Sequence, residues 1–210
     1  MKSYGRVMPA LSLLAVAIPL LVMVGAAPAQ SLSGEMLVKA LRQGGYVIVM
    51  RHASSPRDAP DPKTANPDNV DRERQLDEEG RTTAVALGKA LRELKIPLGD
   101  VFSSPTYRAL ETLRLAQVGN PRPIAELGDG GRGMQVSSEA QAAWLRNKVT
   151  QFPARTNALI VTHLPNMSRA FPQWTTGLAD GEALIFGPDG KGGTTLVARV
   201  KIEDWPRMAR

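Results

Sequence analysis

The chain has 210 residues, of which 43% are hydrophobic and none is cysteine, and carries a formal charge of +6. That length suits one domain with an ordinary core, and the lack of cysteine excludes disulfides, thiolate metal ligands and a cysteine nucleophile. A charge this mild favours anionic ligands but is far from the dense basic stripe of a nucleic-acid binder.

Residues 1–29 stand apart. Lys2 and Arg6 precede an apolar run with no charge, and Ala27-Pro28-Ala29 supplies small residues at the spacing a signal peptidase reads. A secretory signal cut after Ala29 is expected. Because the run approaches the ~20 residues of a membrane span, an uncleaved anchor is the competing reading. Both place residues 30–210, the one expected domain, outside the cytoplasm, periplasmic or secreted. Removing the segment takes away two basic residues, so the formal charge falls from +6 to +4.

Gly34 to Gln43 reads as a short amphipathic helix stopped by Gly44-Gly45. "YVIVM", Tyr46 to Met50, is apolar throughout and suits a strand covered on both faces. From Ser54 to Gln75 four prolines and many charges interrupt any apolar period. Loops of that length in a compact domain serve as lids or binding loops, or are mobile. Asp77 is placed to cap a helix in which Ala84, Leu87, Leu91 and Leu94 draw one apolar stripe, ended by Pro97.

A short strand is expected over Asp100 to Ser104. Ser104-Pro105 then reads as cap and first residue of a helix running to about Ala116. "NPRPIAELGDGGRG" is a glycine- and proline-rich loop. Ser138 with Gln141 forms a capping box for the next helix, whose apolar side is Trp144, Leu145 and Val149. Asn157 to His163 is a second buried strand, followed by a helix with Asn166 as its cap. "EALIF" and "TTLVARVKI" flank a glycine-rich turn and read as a closing hairpin. Strands alternating with helices predict a three-layer α/β domain. Its central sheet is mostly parallel, with helices on both faces and a final antiparallel pair.

The chain's two histidines, His52 and His163, each end a short apolar strand. In open α/β sheets ligands bind beyond the carboxyl ends of the strands, so two rings delivered there can meet in one pocket. Arg51, beside His52, needs an anion at such a place. Arg108, in "SSPTYRALETL", can reach back over a helix start, where free N–H groups and an arginine fork receive a tetrahedral oxyanion. A surface ion pair with Glu111 or Asp100 is the plainer role for Arg108.

Together these stretches resemble the histidine phosphatase superfamily, which includes the phosphoglycerate mutases. Its Arg-His-Gly is matched by Arg51-His52-Ala53. Its "SSPxxRAxxT" is matched by Ser103-Ser104-Pro105, Arg108-Ala109 and Thr112, and its second histidine by His163. "RQLDEEG" is similar to its Leu-Thr-x-x-Gly helix opening, with Asp77 for Thr. The resemblance implies a phosphomonoesterase, metal-independent and without cofactor. His52 is then the nucleophile, and Arg51, Arg108 and protonated His163 clamp the phosphate.

The acid-phosphatase branch places an acidic Asp after the second histidine, where this chain has Leu164. The other branch's loop carboxylate points to Glu126 as general acid, with Asp129 as competitor. Ala53 for glycine adds a methyl near the phosphate. The implied partner is a small-molecule or envelope phosphomonoester, with no nucleic acid, and contact with a membrane only through an uncleaved signal. No feature fixes an oligomeric state. A non-catalytic phosphate binder on the same fold is the alternative. A metallohydrolase using both histidines is disfavoured because Arg51 would repel a divalent cation.

Overall fold

The computed structural model describes Met1 and residues 31–129 and 137–210; the expected signal segment lies outside them, apart from Met1. The elements run α1 (Gly34–Gln43), β1 (Tyr46–Arg51), α2 (Glu78–Glu93), β2 (Leu98–Ser103), α3 (Tyr107–Ala116), β3 (Arg122–Pro123), α4 (Glu139–Lys148), β4 (Asn157–Thr162), α5 (Leu164–Ala170), β5 (Ala183–Pro188), β6 (Thr194–Val200) and α6 (Asp204–Met208). One six-stranded sheet takes the order β3-β2-β4-β1-β5-β6. The first four of these pair in parallel, and β5 runs antiparallel to both of its neighbours. The sheet is therefore mixed, with the closing hairpin where it was expected.

Alternation along the strands builds the three layers. Ile48 and Met50 of β1 face a core shared with α1, α2, α3 and Trp205 of α6. Val47 and Val49 face the opposite core, with Leu145 of α4 and Met167 of α5. Successive strand side chains point to opposite faces, so an all-apolar strand requires a helix layer on each side. The helix α6 was not expected: at five residues it is too short for a periodic signature, and only Trp205 is buried.

Several local readings hold to the residue. The Asp77 side chain accepts from the Gly80 N–H at 2.7 Å, and Ser138 and Gln141 make both bonds of the capping box. Two helix starts differ from expectation. α3 begins at Tyr107, because the Ser104 hydroxyl instead accepts from the Thr106 N–H at 3.2 Å and folds the chain into a turn before the helix. α5 begins at Leu164 with His163 at its cap position. That places Asn166 inside the helix, wholly buried. The expected glycine- and proline-rich loop also carries the two residues of β3 and a one-turn 3-10 helix, Ala125–Leu127.

α2 and α3 cross closely at Gly88, where a Cβ would land in the carbonyl of Ala116. Gly88→Ala is expected to destabilise the fold by about 2–3 kcal/mol through overpacking. For a domain of this size that lowers Tm by roughly 4–12 °C. Alanine in a helix interior otherwise stabilises by about 1 kcal/mol, so thermal unfolding reads the sign directly. An unchanged or raised Tm would mean that the helices part without cost.

Candidate active site

The pairing of β1 with β4 sets Arg51 against Thr162, so the next residue on each strand is a histidine. The His52 N–H donates to the Thr162 carbonyl at 3.0 Å, and the His52 carbonyl accepts from Gly181 N–H at 2.9 Å. Both rings are buried, and their centroids lie 5.2 Å apart. Two separate strand ends thus meet in one site.

Hydrogen bonds fix the tautomers. His52 Nδ1 is 2.8 Å from the Ala53 carbonyl, which only an N–H can satisfy. Its Nε2 is therefore a lone pair, and it accepts from Arg108 Nε at 3.1 Å. His163 Nδ1 lies 3.0 Å from Arg108 Nη2, which can only donate, so this nitrogen is also a lone pair. His163 Nε2–H faces the Ser104 hydroxyl at 2.8 Å. One buried guanidinium bridges both imidazoles.

Burial, chiefly, holds the His52 pKa well below 6.5, with His163, Arg108 and Arg51 adding to it. Burial and then Arg108, Arg74 and Arg51 do the same to His163. Burial and the three arginine charges thus favour the neutral ring of His163.

Arg108 lies in the first turn of α3 and is 3% exposed. Neither of its plainer partners holds it. Asp100 pairs with Arg122 at 2.7 Å, and Glu111 accepts from Leu76 N–H and Asn66 Nδ2, each at 3.0 Å. Arg108 Nη2 is instead paired with Asp129, whose carboxylate is 3.9 Å from His163 Nδ1. Glu126 is exposed on the 3-10 turn, which buries Leu127 and so turns Glu126 outward. The carboxylate beside the histidines is Asp129, a correction to the expected Glu126.

Arg51 is held by Asp180 at 2.5 Å and by the Leu178 carbonyl at 3.3 Å. Its buried Nε finds no acceptor among the described residues, so a donor is left for an anion. Burial pushes the Asp180 carboxyl up against the pull of Arg51.

Arg74 was expected only as one of several loop charges, yet it shares this field. Burial and the Arg108 charge lower its pKa, while Asp129 and Asp180 oppose the shift. The signal lay in the loop ends. Ser54 Oγ donates to Asp77 at 2.7 Å, which closes residues 54–75 beside His52 and brings Arg74 back toward it. The loop is pinned to α3: Glu111 holds Leu76 and Asn66, and Glu73 accepts from the Tyr107 N–H at 2.8 Å.

The two departures from the family pattern are absorbed. The Ala53 methyl is fully buried in the α2–α3 core, and the Ala53 N–H donates to Thr112 Oγ1 at 3.2 Å. Leu164 packs against the α4–α5 core. Among the described residues no three His, Asp or Glu side chains gather as a metal cluster, and no helix is long and apolar enough to cross a membrane.

Residues 47–129 match the model of the histidine phosphatase superfamily (branch 1). Over this stretch the chain is similar to the histidine phosphatase superfamily. Solved structures agree with the superfamily fold. One is the protein histidine phosphatase SixA complexed with tungstate, 20% identical with a TM-score of 0.53, the alignment covering 76% of this chain and 98% of that one. Another is phosphoserine phosphatase from Entamoeba histolytica in complex with 3-phosphoglyceric acid, 14% identical with a TM-score of 0.51, covering 73% and 95%. At these identities the likeness is one of fold. No curated protein matches the chain in sequence. The superfamily match ends at Asp129, so His163 enters the site through the strand register rather than through that signature.

Proposed function

We propose that this protein is a histidine phosphatase, exported, that hydrolyses phosphomonoesters through a phosphorylated His52, without a metal ion. The observation that carries the reading is the pair of neutral imidazoles 5.2 Å apart with one arginine between their lone pairs. A phosphomonoester dianion placed there meets Arg108, Arg51 and Arg74, which spread its charge as the transition state requires. It also offsets the arginine charges that keep the second proton off His163, which can then donate to a phosphate oxygen.

His52 Nε2 forms a bond to phosphorus as the ester P–O bond breaks. Asp129, released from Arg108 by the incoming phosphate, takes up a proton from solvent and passes it to the departing alkoxide. Water then loses a proton to the Asp129 carboxylate and attacks phosphorus, and the N–P bond breaks. Phosphate leaves, and His52 returns to its neutral state, so one difficult displacement has become two easier ones. The Lys2–Ala29 segment supports export, with envelope or nutrient phosphoesters as the substrate class. N-terminal sequencing of the exported protein is expected to begin at Gln30, and a retained Met1 in a membrane fraction would instead mark an anchor.

Hydrolysis of an aryl phosphate is expected to persist in excess chelator, and its loss there would overturn metal independence. Asp129→Asn is expected to slow alkyl phosphates about 10²-fold or more while sparing aryl phosphates, whose leaving groups need little protonation. Glu126→Gln is expected to leave both near the parent rate. The reverse pattern would return the acid role to Glu126. A folded wild type that binds vanadate and turns over nothing would identify a phosphate binder instead.

A further inference from the structure

Asn166 belongs to none of the motifs that mark the site, yet it is wholly buried three residues past His163. Its Nδ2 donates to the carbonyls of Leu127 at 3.0 Å and Gly128 at 2.8 Å, and lies 3.1 Å from Thr162 Oγ1. Thr162 Oγ1 in turn donates to the Leu127 carbonyl at 2.8 Å. Gln141 Nε2 donates to the Gly128 carbonyl at 2.6 Å, while its Oε1 completes the capping box of α4. Three side chains from β4, α4 and α5 thus converge on the two carbonyls immediately before Asp129.

A carbonyl held by side-chain donors fixes its peptide plane. Here the plane joining Gly128 to Asp129 is gripped twice, which sets the direction in which the Asp129 side chain leaves the backbone. Asp129 reaches Arg108 and His163 from this anchored peptide.

We propose that Asn166, together with Gln141, is a positioning residue: it holds the Asp129 carboxyl at the Arg108–His163 edge, where that group protonates the leaving alkoxide. This rests on the phosphatase reading with Asp129 as its acid. Misplacing a catalytic group by about 1 Å can cost 10²-fold, and that cost falls only on substrates that need the acid.

The test measures kcat/KM for one alkyl and one aryl phosphate in Asn166→Ala, Gln141→Ala, Asp129→Asn and the Asn166→Ala/Asp129→Asn double variant. Gln141 lies at the surface end of the latch, so its variant keeps the test open if Asn166→Ala does not fold. Each single latch variant is expected to lose roughly 10- to 100-fold on the alkyl substrate and little on the aryl one. The double variant is expected to be no slower than Asp129→Asn alone. Equal losses on both substrates, or additive losses in the double variant, would overturn the inference while leaving the acid in place. If Asp129→Asn itself shows no leaving-group preference, the acid role falls and the latch role with it.

Discussion

Replacing His52 with alanine is expected to abolish phosphomonoester turnover, by about 10³-fold or more. Two lone pairs face Arg108, but they are not equivalent. His52 donates its other N–H to a main-chain carbonyl at 2.8 Å, a firm acceptor that fixes the tautomer with Nε2 free. Its backbone is also bonded to β4 on one side and to Gly181 on the other. His163 instead rests on the Ser104 hydroxyl at 2.8 Å, which can rotate as the ring gains a proton. The fixed ring suits attack, and the adaptable one suits charge stabilisation. Vanadate binding is expected to survive His52→Ala because all three arginines remain. Rapid quench with labelled substrate is expected to leave phosphate on the wild-type protein, stable in base and lost in acid, as N-linked phosphate is. Label on another residue, or a variant retaining a tenth of the parent rate, would defeat the assignment of the nucleophile.

Arg108→Ala carries the second large effect, an expected loss of about 10³-fold in kcat/KM. The guanidinium contacts both imidazoles and Asp129 at once. Arg108→Lys is expected to recover little of this, since an ammonium on a flexible stem cannot present the same planar fork. The pH dependence supplies an independent readout. Arg108 is among the charges that depress both histidines, so its removal raises both pKa values and moves the acid limb of kcat/KM to higher pH. The stability linkage has a defined sign. Each histidine has a folded pKa below its unfolded value near 6.5, so the unfolded chain binds more protons as pH falls. The wild type is expected to keep its full stability above pH 6.5 and to lose it on acidification. In Arg108→Ala that loss between neutral pH and pH 5 is expected to shrink. Paired thermal melts at the two pH values measure it, and an unchanged difference would show that Arg108 does not govern the protonation of the rings.

Elements with a period or a cap were legible in the sequence because their signals are local. The helix over Gly34–Gln43, the Asp77 cap and the Ser138–Gln141 box all depend on residues within a turn of one another. The meeting of His52 and His163 was legible for a different reason: both strands are apolar on each face and run in one direction, so their ends must share an edge of the sheet. What escaped were choices between equally plausible local partners. Ser104 and Asn166 look like caps, but Ser104 faces His163 and Asn166 faces the carbonyls before Asp129. Likewise Glu126 and Asp129 are three residues apart in one loop, and only the burial of Leu127 decides which turns inward. Arg74 was obscured by its setting in a charged loop, since its value depends on where that loop closes.

The run Arg108-Ala109-Leu110-Glu111-Thr112 places three polar residues at i, i+3 and i+4, on one buried side of α3. Arg108 serves the rings, Glu111 ties down the long loop, and Thr112 receives the Ala53 N–H. A single helical register therefore governs three parts that appear separate along the chain. Deleting one residue inside this run would turn the side chains beyond the deletion by about 100° relative to those before it, disconnecting them together. Exchanging the loop for one from a relative would then succeed only if residue 111 were exchanged with it, which makes the pair, not the loop, the unit of transplantation.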